Sequence, residues 1–366
     1  MHGYKFTDPV RAYIQRVTDP ALLHRDAVVV DAHHDILLLV TRAREAGAGS
    51  AFGSRWTREL REGGVNVQVL PVFIEDEYAE EGALRAALKM VEHLHREVEE
   101  NPDDLALCLT GADIDAALAA GKLALLLSFE GCEPIGRDVE LLATFARLGL
   151  RLCALTWNRR TALADGSDHD ATGAGLTREG RAAIAELERL GVLVDVTHLS
   201  HAGVAEVLEM ATKPVIASHS NARVLCDTAR NLSDEELRGI ATTGGVIGVN
   251  FFPGFVHPTD RSPERLVDHI EHIASVAGVD HVGLGPDFIK DYFDEVPPHR
   301  PILTGQVDDV NATLDGLAYV TELPSLTPQL LARFSEEDVR KILGDNFLRV
   351  FRQTLGRTAG EPAAVV

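Results

Sequence analysis

The sequence is poor in cysteine, and the spacing of the few cysteines excludes two kinds of site. Cys108, Cys132, Cys153 and Cys226 are the four that occur, and no two of them form a CxxC pair. A disulfide framework or a thiolate zinc site needs closely spaced cysteines, so neither is expected. We predict reduced thiols instead, most of them buried.

Long apolar runs are also lacking. No stretch approaches the roughly 20 apolar residues that a membrane-spanning helix needs. The first residues, MHGYKFTDPVRAYIQR, lack the apolar segment of a signal peptide, and the last, RTAGEPAAVV, are too short and mixed for an anchor signal. By default we expect a cytoplasmic protein without a membrane partner, although a leader that had already been removed would leave no trace.

Positive charge is in deficit. Lys and Arg number 35 against 56 Asp and Glu, which gives a net charge of −21. This balance repels phosphate backbones and anionic lipids, so nucleic acid is not an expected partner. The hydrophobic content of 45% and the charged content of 25% are ordinary for a soluble globular protein. The length of 366 residues suits one large α/β barrel or two ordinary domains.

Short apolar stretches alternate with helical patterns along the chain. Eight stretches predict strands, at 28–35, 65–73, 123–131, 150–157, 193–199, 214–220, 245–252 and 281–288. Most are near-continuously apolar, as parallel strands buried on both faces are. Helix starts between them are marked by Thr110, Thr177, Ser200, Ser233 with Glu236, and Ser262 with Pro263.

This alternation predicts an α/β fold, a (β/α)8 TIM-type barrel, rather than an open doubly wound sheet. We expect a single barrel domain over 1–366, with an N-terminal helix at about 7–24 and C-terminal helices at about 327–355 packed on it. The segments 164–175 and 295–305 are rich in Gly, Asp or Pro, and we predict loops over the barrel mouth there.

Residues of the types that bind metals lie at or just past the carboxyl ends of most of the predicted strands. They are His33, Asp35, Glu130, His198, His219 and Asp287. Each alone has an ordinary explanation: a strand-end histidine in a hydrogen bond, an ion pair of Glu130 with Arg137, or Asp287 as a helix N-cap. Because the carboxyl ends of barrel strands form the active-site face, we expect all six to converge.

Three imidazoles and three carboxylates suit two zinc ions rather than calcium or a thiolate site. Two metals roughly 3.5 to 4 Å apart share a bridging ligand and a water molecule, which they deprotonate near neutral pH. We predict that Glu130 is the bridge. Gly283 and Gly285 lie on the same strand face as Asp287, where they either leave space for substrate or water or allow close strand packing.

The order of these residues, with the stretches SFEG, DVTHLS, SHSNARVLCDTARNLSDEEL, GLGPDF and ILGDNFLRVF, resembles the amidohydrolase superfamily. Within it, the chain resembles the membrane (renal) dipeptidase family from about Val28 to Phe351. The resemblance implies a binuclear zinc barrel that hydrolyses dipeptides, often with a D-residue at the carboxyl end, and usually a homodimer.

The resemblance also implies a role for each matching residue. His33 and Asp35 would hold one zinc, His198 and His219 the other, and Glu130 both. Asp287 would carry a proton from the bridging water to the leaving amine. Arg230, in DTARNLSD, would bind the terminal carboxylate of the substrate, for which a planar guanidinium is suited.

Four departures from the family pattern bear on specificity. Trp157 stands where many members have a histidine that stabilises the developing oxyanion. An indole can donate one N–H but, unlike an imidazole, cannot carry a positive charge. We assign Trp157 and the following Asn158 to substrate binding. His34 replaces the usual asparagine, Ile289 and Lys290 replace the usual Asp-Gly, and the loop 251–255 lacks a tyrosine.

Three functions remain open from the sequence. The favoured one is a cytoplasmic dipeptidase with two Zn²⁺ per chain that attacks the peptide bond with a metal-bridging hydroxide. The alternative, motivated by Trp157, is hydrolysis of another small carboxylated amide, lactam or lactone. A non-catalytic metal-binding scaffold ranks last, because none of the five implied metal ligands is missing.

Overall fold

Parallel strands form the centre of the fold. The computed structural model describes residues 19–78, 82–295 and 312–356. Within them lie nine strands: β1 (Val29–Asp31), β2 (Val65–Phe73), β3 (Leu105–Leu107), β4 (Leu123–Glu130), β5 (Leu150–Ala154), β6 (Leu193–Asp195), β7 (Val215–Ile216), β8 (Ile247–Val249) and β9 (Val282–Leu284). Eight of them fall inside the predicted stretches. The short β3, which pairs in parallel with the start of β4, was not predicted.

The strands close into a ring. One sheet has the order β1-β2-β4-β5-β6-β7, with β3 beside β4, and β8 pairs with β9. The backbone of Ala217 joins β7 to β8, because its N–H donates to Val246 (3.1 Å) and its carbonyl accepts from Gly248 (2.8 Å). The N–H of Ala32, directly after β1, donates to Leu284 of β9 at 3.1 Å. The predicted TIM-type barrel is thus confirmed, whereas the single-domain assignment stays a prediction.

Helices alternate with the strands. Those of the described residues are α1 (Pro20–Asp26), α2 (Ile36–Glu45), α3 (Thr57–Glu62), α4 (Ala83–Glu100), α5 (Gly111–Ala119), α6 (Leu141–Arg147), α7 (Arg178–Leu190), α8 (His201–Met210), α9 (Asp234–Thr242), α10 (Pro253–Val256), α11 (Pro263–Ala277), α12 (Lys290–Glu295), α13 (Thr327–Leu331), α14 (Glu336–Arg340) and α15 (Asn346–Thr354). None of these helices is both long and apolar enough to cross a bilayer.

The helix starts follow the capping residues of the sequence. The Thr110 and Ser233 hydroxyls accept backbone N–H bonds at the starts of α5 and α9, and Glu236 completes the second capping box. The C-terminal region in which helices were expected contains α13 to α15. Of the predicted N-terminal helix, residues 7–18 lie outside the described part of the chain, and α1 starts at Pro20.

Two predictions about loops and glycines have different outcomes. The segment 164–175 contains a 3-10 helix, Ser167–Thr172, and the Ser167 N–H donates to the carbonyl of His198 at 2.8 Å, so this segment lies beside the predicted site. The segment 295–305 lies outside the described residues except for its first position.

The two glycines before Asp287 do not leave open space for substrate or water, so that alternative is wrong. A Cβ atom on Gly283 would lie 2.4 Å from the Phe347 ring, and a Cβ atom on Gly285 would lie 1.8 Å from the backbone oxygen of Ser218. These glycines serve close packing.

The four cysteines are free and buried, as predicted. The Sγ atoms of Cys132 and Cys153 lie 3.4 Å apart, where β4 and β5 run side by side. Free buried thiols of this kind behave as small apolar side chains. They contribute to the core around the barrel and not to a metal site.

Candidate metal centre

Glu130, the last residue of β4, lies between the histidines that were expected to converge with it. Its Oε2 is 3.5 Å from Nε2 of His33, and its Oε1 is 2.8 Å from Nε2 of His198 and 3.8 Å from Nε2 of His219. All four side chains are buried. The alternative ion pair with Arg137 is not formed, since Arg137 is exposed. The two oxygens of one carboxylate therefore face different imidazoles.

The two later histidines are held so that their Nε2 atoms meet. Nδ1 of His198 lies 2.7 Å from Oδ1 of Asn158, and Nδ1 of His219 lies 2.9 Å from Oγ of Ser218. The Nε2 atoms are 2.9 Å apart. A partner on one ring nitrogen fixes the tautomer and leaves the other nitrogen as the ligand atom.

Asp35 and Asp287 complete the cluster on the side of His33. Ligand atoms of His33, Asp35 and Asp287 lie within 4.8 Å of one another, and so do those of His33, Glu130 and His219. Nε2 of His33 and Oδ1 of Asp35 are buried without a hydrogen-bond partner among the described residues. Buried polar atoms are normally satisfied, and a cation satisfies such atoms. This donor set of nitrogen and oxygen fits zinc.

The backbone around the cluster is fixed by two aspartates that end strands. Oδ1 of Asp31 accepts from the His33 N–H at 3.0 Å, and Oδ1 of Asp195 accepts from the N–H groups of Thr197 (2.9 Å) and Ser218 (3.0 Å). Beyond these strand ends, His198 has a φ of 72° and Asp287 a φ of 56°. Non-glycine residues rarely adopt the left-handed region, and those that do concentrate at functional sites.

The electrostatics of the cluster favour a cation beside Glu130. Burial, aided by Arg230, lowers the pKa of His198 to about 3, and burial also holds the pKa of His219 well below its usual range, so both are neutral, the form that binds a metal. Burial opposes a proton on His33, but Glu130 outweighs it and raises the pKa of His33 to about 10. For Asp35, burial and then Glu130 raise the pKa well above its usual range.

A pocket of about 630 Å³, including the part open to solvent, lies over the cluster. This volume is in the range of small-molecule sites, roughly 300 to 1,000 Å³. Its polar lining among the described residues is Asp35, Glu130, Asn158, His198, Arg230 and Asp287, and its apolar lining includes Trp157. All nine residues predicted for metal binding, catalysis and substrate binding thus lie in or at the edge of one site.

Arg230 is buried at the wall of this pocket. Its Nη2 lies 3.4 Å from both Nε2 of His198 and the carbonyl of His219, and its guanidinium is 5.2 Å from the Phe255 ring. The Nε atom has no hydrogen-bond partner among the described residues. Burial lowers the pKa of Arg230 to about 10, so it remains a cation at neutral pH. An anionic group in the pocket would find a partner here.

The chain matches a known protein family over nearly all of its length. The family described as membrane dipeptidase (peptidase family M19) matches residues 19–298 and 302–362. The chain belongs to the membrane dipeptidase family. This confirms the resemblance seen in the sequence, and a family of metallopeptidases implies a metal cofactor.

Individual relatives of the membrane dipeptidase family agree with this. A metallopeptidase from Rhodobacter sphaeroides, solved with a phosphinate mimic of the dipeptide L-Ala-D-Ala, is 27% identical with a TM-score of 0.76 over 90% of this chain and 100% of its own. The metallopeptidase dipeptidase AC is 28% identical, with a TM-score of 0.76, over 90% of this chain and 99% of its own. Dipeptidase tcpJ of Claviceps purpurea (strain 20.1) is 30% identical over 275 residues, 74% of this chain. The match spans 60% of that relative's length.

Several residues of this dipeptidase-family site were missed from the sequence. Asn250 donates from Nδ2 to Oδ2 of Asp287 at 3.0 Å, while Asp31, Asp195 and Ser218 support the histidines. The two aspartates carry a signal that could have been noticed, since each stands two or three residues before a candidate histidine at the end of an apolar run. Asn250 carries no such signal, because its partner lies on another strand end.

Proposed function

We propose that this chain is a zinc dipeptidase that cleaves small dipeptides, including those with a D-residue at the carboxyl end. The observation that carries the proposal is the position of Glu130, whose Oε2 faces His33 while its Oε1 faces His198 and His219. A bridging carboxylate of a two-metal site needs this arrangement. The dipeptide mimic in the Rhodobacter sphaeroides relative supports the substrate class.

Five residues would hold the two zinc ions. His33 and Asp35 would bind one, His198 and His219 the other, and Glu130 both. When bound, the paired ions supply the Lewis acidity that polarises the peptide carbonyl and generates a hydroxide nucleophile near neutral pH. Asn158 and Ser218 keep Nε2 of the two later histidines directed at the ions through their bonds to Nδ1.

Arg230 and Asp287 act on the substrate. Arg230 is a buried guanidinium beside the histidines, and it binds the terminal carboxylate and so places the scissile bond next to Glu130. Asn250 occupies Oδ2 of Asp287, which leaves Oδ1 to hold the proton that passes to the leaving amine. The aromatic rings of the pocket, Trp157 among them, exclude water from the bound dipeptide.

A second candidate substrate class has one observation in its favour. Trp157 lines the pocket, with its ring centroid 6.0 Å from that of His198, at the position where the family resemblance led us to expect a histidine. The indole of Trp157 has only one N–H donor and carries no charge. The second candidate substrate is therefore an amide, lactam or lactone whose oxyanion the metals alone would stabilise. The scaffold alternative has no comparable support, because the five implied ligands converge.

The test is metal content and turnover of the same preparations. We expect the wild-type protein to hold two zinc ions per chain and to cleave members of a panel of L,L and L,D dipeptides. Glu130→Gln should lose both properties, while Glu140→Gln, an exposed control ten residues on, should keep them. A protein that holds no zinc and cleaves no dipeptide contradicts the proposal. Cleavage of lactones or N-acyl amino acids alone favours the second candidate.

Location and assembly are proposed from the sequence and the family resemblance alone. We propose a cytoplasmic homodimer. Light scattering of the purified protein and fractionation of the source cells measure these properties directly. A monomer, or a protein found outside the cytoplasm, would contradict the corresponding part of the proposal without affecting the assignment of the site.

A further inference from the structure

We propose that the pocket selects dipeptides whose amino-terminal residue has a large apolar side chain. The inference rests on the proposed function and specifies its substrate class. It is carried by an apolar wall on the Asp35 side of the pocket, which we define as Leu38, Ile289, Tyr292 and Phe293.

The position of the wall follows from the two ends of the metal centre. Arg230 contacts His198 and His219, so a carboxylate bound to it lies at that end. Asp35 clusters with His33 and Asp287 at the other end, across Glu130. The part of a dipeptide remote from its carboxylate, the amino-terminal residue, therefore lies beside Asp35.

The chain places the wall next to Asp35 and Asp287. Leu38 is one turn after Asp35 on α2, and Ile289 is two residues after Asp287. Tyr292 and Phe293 follow on α12, with their rings 5.6 Å apart. An apolar group placed between α2 and α12 would therefore lose contact with water on two sides. The binding free energy gained increases with the apolar area removed from water.

The one polar group of the wall is already paired. The hydroxyl of Tyr292 donates to Oε1 of Glu75 at 3.1 Å, and Glu75 also forms an ion pair with Arg42. The hydroxyl is thus already engaged by Glu75, which is not among the residues that line the pocket, whereas Tyr292 is one of them. Tyr292 acts as an apolar contact rather than as a hydrogen-bonding group.

The wall is held in place by ion pairs behind it. Asp291 is only 2% exposed and pairs with Arg55, which also pairs with Glu295 at the end of α12. The guanidinium of Arg55 lies 4.2 Å from the centre of the Trp56 ring. Lys290 pairs with Asp294 and is not part of the pocket lining. A wall fixed in advance loses less entropy when a ligand binds.

A polar or charged amino-terminal side chain has no partner at this wall. The carboxylates that line the pocket among the described residues are Asp35, Glu130 and Asp287, which the proposed function assigns to zinc or to the proton. Ile289 stands where the family resemblance led us to expect an aspartate. Burying a polar group without a hydrogen bond is unfavourable, so the wall discriminates against such side chains.

The experiment compares zinc-loaded enzyme on dipeptides with a common carboxyl-terminal alanine and an amino-terminal Gly, Ser, Lys, Leu or Phe. We expect kcat/KM to be at least about tenfold higher for Leu and Phe than for Gly. Calorimetry with two phosphinate dipeptide mimics, one with a leucine and one with a glycine side chain at the amino-terminal position, should give Kd values in the same order. This measurement separates recognition from turnover.

Variants of the wall supply the control. Ile289→Asp should reduce the Leu-to-Gly ratio about tenfold, and Ile289→Ala, which introduces no charge, should reduce it in the same direction. Lys290→Ala, the adjacent residue outside the pocket, should leave the ratio unchanged. Equal rates for all dipeptides, a preference for Gly, Ser or Lys, or a ratio that Ile289→Asp does not change overturns the inference and leaves the proposed function intact. Failure to cleave any dipeptide defeats the proposed function itself.

Discussion

Oδ1 of Asn158 lies 2.7 Å from Nδ1 of His198, and the hydroxyl of Ser167 donates to the same oxygen at 2.9 Å. The amide oxygen is an acceptor, so Nδ1 of His198 carries the proton, and Nε2, which faces Glu130 and His219, keeps its lone pair for a metal ion. Asn158 was predicted to bind substrate. The structure adds a contact that orients a candidate metal ligand.

We therefore expect Asn158→Leu to weaken zinc binding by about 10- to 100-fold, the usual effect of losing a partner behind a ligand. Asn158→Asp keeps an acceptor oxygen and should retain most of the affinity. Competition with a chromophoric chelator measures both. An affinity of Asn158→Leu equal to that of the wild type would show that the hydrogen bond does not orient His198.

Arg230 should determine recognition of the substrate carboxylate. Arg230→Lys keeps a positive charge but loses the planar pair of donors, so kcat/KM for a dipeptide should fall by about 10- to 100-fold. The wild type should prefer a free carboxylate over a carboxyl-terminal amide, and the variant should show a smaller preference. A preference that is unchanged in Arg230→Lys would place the carboxylate elsewhere in the pocket.

Asp287 should affect turnover and not zinc content. Asp287→Asn retains the shape of the side chain but cannot carry the proton, and we expect kcat to fall by about 10²- to 10⁴-fold. Asp280→Asn, on an exposed carboxylate that pairs with Lys341, serves as the control and should not change kcat. If Asp287→Asn instead loses a zinc ion while the control does not, Asp287 is a ligand rather than a proton carrier.

The sequence was sufficient to predict that the candidate metal ligands converge, because these residues directly follow the strands. Glu130 ends β4, and His198 and His219 stand three residues beyond β6 and β7. In a parallel barrel all such positions are brought to the same face. Their convergence therefore depends on the repeating pattern of apolar runs. That pattern can be recognised in the sequence without knowing the conformation of any loop.

Contacts that depend on loop geometry could not be predicted in this way. Asn250 contacts Asp287, which is 37 residues away in the sequence, and Tyr292 contacts Glu75, which is 217 residues away.

The strand β3 was not predicted because it has only three residues and two of them are half-buried. The strands also end earlier than expected: β9 stops at Leu284, and the segment up to Asp287 instead adopts loop backbone that the apolar pattern does not encode.

A buried histidine away from the candidate metal centre should make the stability of the fold depend on pH. His269 on α11 is completely buried; its Nδ1 accepts from the N–H of Ala222 at 3.0 Å, and its Nε2 donates to the carbonyl of Val256 at 2.8 Å. A second proton would have to displace the Ala222 N–H. Burial accordingly lowers the pKa of His269 to about 4.

An unfolded histidine has a pKa of about 6.5, so between pH 6.5 and 4 the unfolded state binds more protons than the folded state. The free energy of unfolding contributed by His269 should therefore decrease as the pH falls, by about 2 kcal/mol between pH 7.5 and 5. Urea unfolding of metal-free protein at both pH values, for the wild type and His269→Gln, measures this. Glutamine offers a donor and an acceptor but does not titrate, so the pH-dependent loss should be about 2 kcal/mol smaller in the variant. Equal losses in the two proteins would mean that His269 is protonated in the folded state at pH 5.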